Sequence, residues 1–136
     1  VYAARDHHGT TEEEPLPERH IDGYTQTKVE SEKLALSYHA QHGLPVTVLR
    51  PGFIYGPRDR TVLPKLIDNL RKGIVKYLGD GTQALNTIYV GNLVAAAFLP
   101  LDRPESIGRV YNLTDGEQVS KRRFIEGIAD GVGVPR

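Results

Sequence analysis

The sequence predicts an α/β protein, and within that class one half of a doubly wound parallel sheet. Helical stretches alternate with short apolar runs, the order required by a sheet that helices cover. The run "PVTVLRP" is β-branched and mostly apolar without strict alternation, which suits a strand covered on both faces. Roughly four strands are legible, and a parallel sheet of that size needs neighbours on either side.

Taken in order, residues 3–20 are polar, with two prolines and a run of three glutamates, and read as a loop. A helix follows, with Asp22 as N-cap and Gly43 as its left-handed stop. "VTVLR" is the first strand, and "GFIYGPRD" directly after it reads as a turn-rich loop. "TVLPKLIDNLRKG" sets Leu63, Leu66, Ile67 and Leu70 at helical spacing before a glycine stop, giving an amphipathic helix. "IVKYLGDGTQ" reads as a strand ending in a turn at Asp80 and Gly81. "NTIYV" is the next strand, "GNLVAAAFLPLD" a largely buried helix, and "RPESIG" a connection. "RVYNL" is a further strand, and "SKRRFIEGIADGVG" a last helix capped by Ser120. No internal repeat or low-complexity segment is present.

Composition removes several classes of function. Seventeen basic residues balance seventeen acidic ones, so no net field steers the chain to nucleic acid or to a charged membrane surface. Without cysteine there is no disulfide, thiolate nucleophile or zinc-thiolate site. The longest apolar run, "LVAAAFLPL", is too short to span a bilayer, and no signal peptide is visible. The chain has no methionine, opens on "VYAARD" and closes on "GIADGVGVPR". Both ends read as cuts in a longer, cytoplasmic protein.

"DGYTQTKVESEK" places Tyr24 and Lys28 four residues apart on one face of the first helix. Seven tyrosines and six lysines in 136 residues give about 0.3 such pairs by chance, so spacing alone is weak. Context decides. An acidic, proline-bearing loop precedes the tyrosine, "VTVLRPGFIYGPRD" follows one helix later, and "LGDGTQALNTIYVGNLVAAAFL" follows that. In this order the stretches resemble the extended short-chain dehydrogenases/reductases, of the NAD-dependent epimerase/dehydratase type. The resemblance runs over nearly the whole chain. It implies the C-terminal part of a Rossmann-type sheet with a smaller substrate-binding lobe. Residues 1–57 would be the second half of the Rossmann-type domain. Residues 58–82 would belong to the lobe, 83–108 would return to the sheet, and 109–136 would be a truncated lobe segment.

The resemblance also implies roles. Tyr24 would be the general acid/base and Lys28 would hold the nicotinamide ribose of NAD or NADP. The energetics allow it. Deprotonating a phenol near neutral pH requires a shift of about 3 units, roughly 4 kcal/mol. One cation about 4 Å away at an effective dielectric near 20 supplies about 4 kcal/mol. Pro51, Gly52, Phe53 and Ile54 match the loop beside the nicotinamide ring. The family's third catalytic residue, a Ser or Thr before a "VY" pair, would fall just upstream of Val1. The glycine-rich dinucleotide fingerprint is absent, and "GIADGVG" lies on a helix tail where it cannot serve. The 136 residues alone are therefore expected neither to bind the cofactor tightly nor to turn over substrate.

Departures point to the substrate. Sugar-nucleotide members usually carry Asn where this chain has Phe53, and often Arg where it has Leu85. Both positions are apolar here, and a diphosphate pocket depends on its cations. The small-molecule substrate is accordingly expected to be an apolar alcohol or ketone, as in the 3β-hydroxysteroid dehydrogenase and dihydroflavonol reductase-like branch. Phe53, Arg58, Leu85 and Tyr89 are the candidate substrate contacts, while Arg58, Arg109, Arg122 and Arg123 remain available for an anionic substrate. A sugar-nucleotide epimerase or dehydratase is the second reading, and a non-catalytic binding protein on the same fold the third. A homodimer through helices beside the tyrosine helix is also implied. His7, His8 and the nearby carboxylates match no metal-ligand spacing, so no metal is expected.

Overall fold

The structure, a computed structural model, describes residues 1–3, 9–75 and 80–134. In chain order its elements are α1 (Gly23–His42), β1 (Val48–Pro51), β2 (Phe53–Tyr55), α2 (Leu63–Arg71), β3 (Ala84–Leu85), β4 (Thr87–Tyr89), α3 (Val90–Phe98), β5 (Val110–Leu113), β6 (Val119–Ser120) and α4 (Lys121–Gly131). Short 3-10 turns at Leu99–Asp102 and Pro104–Ser106 follow α3. The chain forms two compact units, Val1–Arg50 with Ala95–Leu113 and Pro51–Val94 with Thr114–Arg136. The fold is α/β, as the alternation of elements predicts.

The first unit is organised by α1. Its start is closed by the Asp22 carboxylate, which accepts the Thr25 N–H at 2.7 Å and the Thr25 hydroxyl at 2.9 Å. The Thr25 N–H, and then its hydroxyl, hold the Asp22 carboxyl below its ordinary range. The helix ends at Gly43, whose φ of 67° is open to glycine and whose N–H returns to the His39 carbonyl at 2.9 Å. Val29 is the buried side chain of α1, only 1 % exposed. β1 pairs with β5 in a two-stranded sheet. Val48, Leu49 and Arg50 are half-buried and Pro51 is exposed, so among the described residues this strand is not covered on both faces as its sequence predicts. Buried Ser106 is satisfied by Thr47 at 3.1 Å and by the Arg103 carbonyl at 2.7 Å.

The second unit contains a strand that the sequence reads as loop. Phe53–Tyr55 pairs in parallel with β4, in the register Phe53 to Thr87, Ile54 to Ile88 and Tyr55 to Tyr89. Gly52 makes the approach possible. A Cβ there would lie 2.2 Å from the Asn86 carbonyl oxygen, which accepts the Phe53 N–H at 2.6 Å. The core gathers beneath this pair, with Ile88 at 2 % exposure and Ile125 and Ala129 of α4 also buried. Burying Ile88 contributes roughly 2 kcal/mol. β3 and β6 pair antiparallel, two residues each, an element the sequence does not reveal. Ser120 caps α4 as expected, accepting the Arg123 N–H at 3.1 Å.

Two other expectations change. α3, predicted to be largely buried, has no buried residue, and Val94, Phe98, Leu99 and Leu101 stand more than half exposed. The strand expected from "IVKYLGDGTQ" falls partly on residues 76–79, outside the described residues, and Ile74 and Val75 are not in a strand.

Candidate active site

Tyr24 is the second residue of α1, and its side chain is 73 % exposed. Lys28 lies one turn on, with its Nζ 5.4 Å from the centre of the Tyr24 ring. The two side chains share a face of the helix, so a cation stands over the phenol. The position in the helix adds a second effect. The N–H groups of the first turn carry a positive partial charge that favours an anion, and the Asp22 carboxylate is the anion that meets it, through the Thr25 N–H. The charged group placed beside the Tyr24 ring is the Lys28 ammonium.

The remaining candidates belong to the second unit. Pro51 and Ile54 are exposed, and Gly52 is half-buried against Asn86. Phe53 is half-buried and meets Phe124 edge to face, the ring centres 5.9 Å apart at 87°. Tyr55 makes the same kind of contact with Phe124 at 5.3 Å and faces Tyr89 across the strand pair at 5.7 Å. Arg58 is exposed with a left-handed φ of 70°. Its neighbour Asp59 caps α2, accepting the N–H groups of Thr61, Val62 and Leu63 at 2.7, 3.1 and 3.0 Å. These donors, Thr61 first and Leu63 next, lower the Asp59 carboxyl from an ordinary 3.8 to about 2. Leu85 is half-buried in β3 opposite Val119, and Tyr89 is partly exposed.

A cleft of about 460 Å³ opens in the same unit, lined by Tyr55, Thr87, Asp115, Arg123, Phe124 and Ile128 among others. Asp115 is its best-anchored charge, accepting the Tyr89 N–H at 3.0 Å and the Asn92 amide at 2.8 Å. Burial opposes ionisation of Asp115. The Tyr89 N–H, the Asn92 amide and the Tyr55 hydroxyl outweigh it and hold the carboxyl below its ordinary range. Burial, and then the bond to Asp115, pushes the Tyr55 phenol up.

Comparison with known proteins places the chain. The model of the NAD dependent epimerase/dehydratase family matches residues 1–114. The chain belongs to that family. Among curated members it is 35 % identical over 123 residues to a 4-hydroxy-2-methyl-3-oxo-4-farnesyl-3,4-dihydroquinoline-1-oxide ketoreductase of Stigmatella aurantiaca, covering 90 % of this chain and 36 % of that one. It is 32 % identical over 136 residues to 3beta-hydroxysteroid-dehydrogenase/decarboxylase isoform 2 of Arabidopsis thaliana, covering 93 % and 24 %. The solved dTDP-glucose 4,6-dehydratase of Streptomyces venezuelae, crystallised with NAD, superposes with a TM-score of 0.79 at 26 % identity, over 99 % of this chain and 42 % of that one. The chain thus spans about a third of the length of the curated relatives it matches.

This family member also carries polar residues that sequence reasoning passed over. Arg50 of β1 donates from Nε and Nη2 to the two Glu32 carboxylate oxygens at 2.8 and 2.5 Å. Its Nη1 donates to the Tyr2 hydroxyl at 2.7 Å. The only signal was a charged residue inside an otherwise apolar strand, which flags a buried, paired charge. His20, just ahead of α1, has a buried Nε2 with no hydrogen-bond partner among the described residues. No group of three His, Asp or Glu side chains among the described residues is placed to hold a metal. His7 and His8 lie outside those residues. No helix among the described residues is long and apolar enough to cross a membrane.

Proposed function

We propose that the whole protein is an NAD(P)-dependent oxidoreductase that interconverts a secondary alcohol and a ketone, with Tyr24 as general acid/base. The carrying observation is the Lys28 ammonium over the Tyr24 ring at the start of α1. The two groups fit the ribose and nicotinamide end of such a cofactor. Lys28 has donors free in water to reach ribose hydroxyls, and Tyr24 exposes its hydroxyl beside it. Residues 51–54 are proposed as cofactor contacts on the strength of the family resemblance, and Ile54 among them is exposed. No glycine-rich turn for the pyrophosphate occurs in this sequence.

When bound, the cofactor supplies the hydride exchange. Tyr24 handles the proton. As phenolate it removes the hydroxyl proton of the alcohol, and as phenol it returns one to the ketone oxygen. Lys28, whose ammonium stands over the ring, stabilises the phenolate in each cycle.

The apolar-substrate reading rests on Phe53, whose ring meets Phe124, and on Leu85, which pairs opposite Val119, two positions that present no polar group. The aromatic side of the 460 Å³ cleft suits such a ligand as well. The alternative, a sugar-nucleotide epimerase or dehydratase, is favoured by the superposition on the Streptomyces enzyme. Full-length protein assayed with NAD and NADP against apolar ketones and against nucleoside-diphosphate sugars separates the two. Turnover of the sugars alone rejects the apolar reading, and wild-type turnover by Tyr24→Phe rejects the acid/base assignment. Exposed Leu34 and Tyr38, one turn apart on α1, support a homodimer through that helix. A monomeric sedimentation mass for the full-length protein would exclude it.

A further inference from the structure

The proton chemistry assigned to Tyr24 leaves the polar core of the first unit without a role. Five chain segments meet there. Arg50 grips Glu32 of α1 with both arms of its guanidinium, and each side chain is only 9 % exposed. The same guanidinium lies 5.2 Å from the centre of the Tyr2 ring and donates to the Tyr2 hydroxyl. That hydroxyl donates to Asn112 Oδ1 of β5 at 2.8 Å, and the Asn112 N–H donates to Glu12 Oε1 at 2.6 Å. Two strands, a helix, the start of the chain and the acidic loop are thereby joined.

Stability does not demand this arrangement. A buried ion pair exchanged for apolar side chains of similar volume is often equally stable or more so. What apolar groups cannot supply is direction. A planar fork bonded to a planar carboxylate fixes how far a helix is rotated about its axis and shifted along it, which neither leucine nor lysine does. From Glu32 back to Tyr24 the helix is continuous, a span of about 12 Å. A phenol oxygen roughly 8 Å from the axis moves by about 1 Å when the helix rotates by about 7°. Misplacement by 1 Å costs about a hundredfold in rate.

We propose that Arg50 is a positioning residue: its two-armed grip on Glu32 sets the rotation of α1 and hence where Tyr24 and Lys28 stand. The inference rests on the acid/base reading of Tyr24.

The test uses the full-length protein with Arg50→Lys, Arg50→Met and the double variant Arg50→Met/Glu32→Leu. Arg50→Lys is expected to lose about 10- to 100-fold in kcat with cofactor and substrate KM nearly unchanged. The acid limb of its pH profile should move to higher pH as the phenol loses its aligned cation. The double variant, free of buried charge, should melt at or above the wild-type temperature yet keep the low kcat. Should Arg50→Met alone fail to fold, the double variant still reads stability and rate apart. Recovery of both melting temperature and wild-type kcat by the double variant would overturn the proposal, leaving the pair a purely structural role. So would wild-type kcat and pH profile in Arg50→Lys. Tyr24→Phe is run alongside. If it keeps full turnover, the acid/base reading and this inference both fall. If it loses turnover while Arg50→Lys does not, only this inference falls.

Discussion

α1 takes part in two polar pairs about two turns apart, and they live in opposite media. At its start Lys28 stands over Tyr24 in open water. Further along, Glu32 meets Arg50 with nine-tenths of both side chains covered. A unit charge 5.4 Å away is worth only about 0.8 kcal/mol at the dielectric of water, and about 3 kcal/mol at an effective value near 20. On the proposed acid/base reading, Lys28 gives the alignment for activating Tyr24, while the energy would depend on excluding water from the pair. The Arg50 pair is already in that drier regime, where bidentate bonding offsets desolvation. One helix thus separates alignment from activation.

The largest effect expected is on the wet pair. In the full-length protein Tyr24→Phe should lower turnover by about 10²–10⁴-fold with cofactor affinity nearly unchanged, because only the proton-transferring oxygen is lost. Steady-state kinetics with direct cofactor titration check it, and an equal loss of cofactor affinity would contradict the assignment.

On the dry pair, Glu32→Leu strands a buried guanidinium and should cost about 3–5 kcal/mol of stability. Denaturant unfolding measures this, and a cost under about 1 kcal/mol would mean that water reaches Arg50. Lys28→Ala sharpens the contrast. It should change stability by no more than about 0.5 kcal/mol, as exposed charges do, while weakening both cofactor binding and turnover.

The smallest effect concerns Asp59, a half-buried residue whose carboxyl is strongly shifted. Its folded value of about 2 lies below the ordinary 3.8, so its contribution to the α2 start is fully present above about pH 4 and is lost as pH falls toward 2. The amide resonances of Thr61, Val62 and Leu63 should titrate together near pH 2, and Asp59→Asn should abolish the transition. A midpoint near 4 would show that the cap is not formed. A carboxylate is shifted this far because rigid backbone donors point at it.

The helices were the most legible part of the molecule because their signals are local. Asp22, Gly43 and Ser120 mark their ends by chemistry confined to a few residues. β2 was missed because its reason lies more than thirty residues away. "GFIY" looks like a turn until Asn86 is brought against Gly52. β3 and β6, two residues each, are too short to show a period. The apolar sequence of α3 suggested burial, yet an apolar face is buried only where something packs on it. Within the site, the Tyr24–Lys28 spacing was readable because both groups lie on one helix. The Arg50–Glu32–Tyr2 cluster was not, because a single charged residue in a strand gives no hint of its partners' positions.

The bond between Tyr2 and Asn112 joins residues 110 apart, and the chain between Arg50 and Ala95 is spent on the other unit. During synthesis at about 5–20 residues per second, Asn112 leaves the ribosome roughly 3–12 s after Arg50. Glu32 and Arg50, 18 residues apart, can meet early, but they wait that long for the strand that completes their enclosure. Closing so long a loop is the slow entropic step. Substitutions in β5 that weaken this closure are therefore expected to slow refolding, and those confined to the far end of α1 to speed unfolding, a partition that the two arms of a denaturant chevron would read directly.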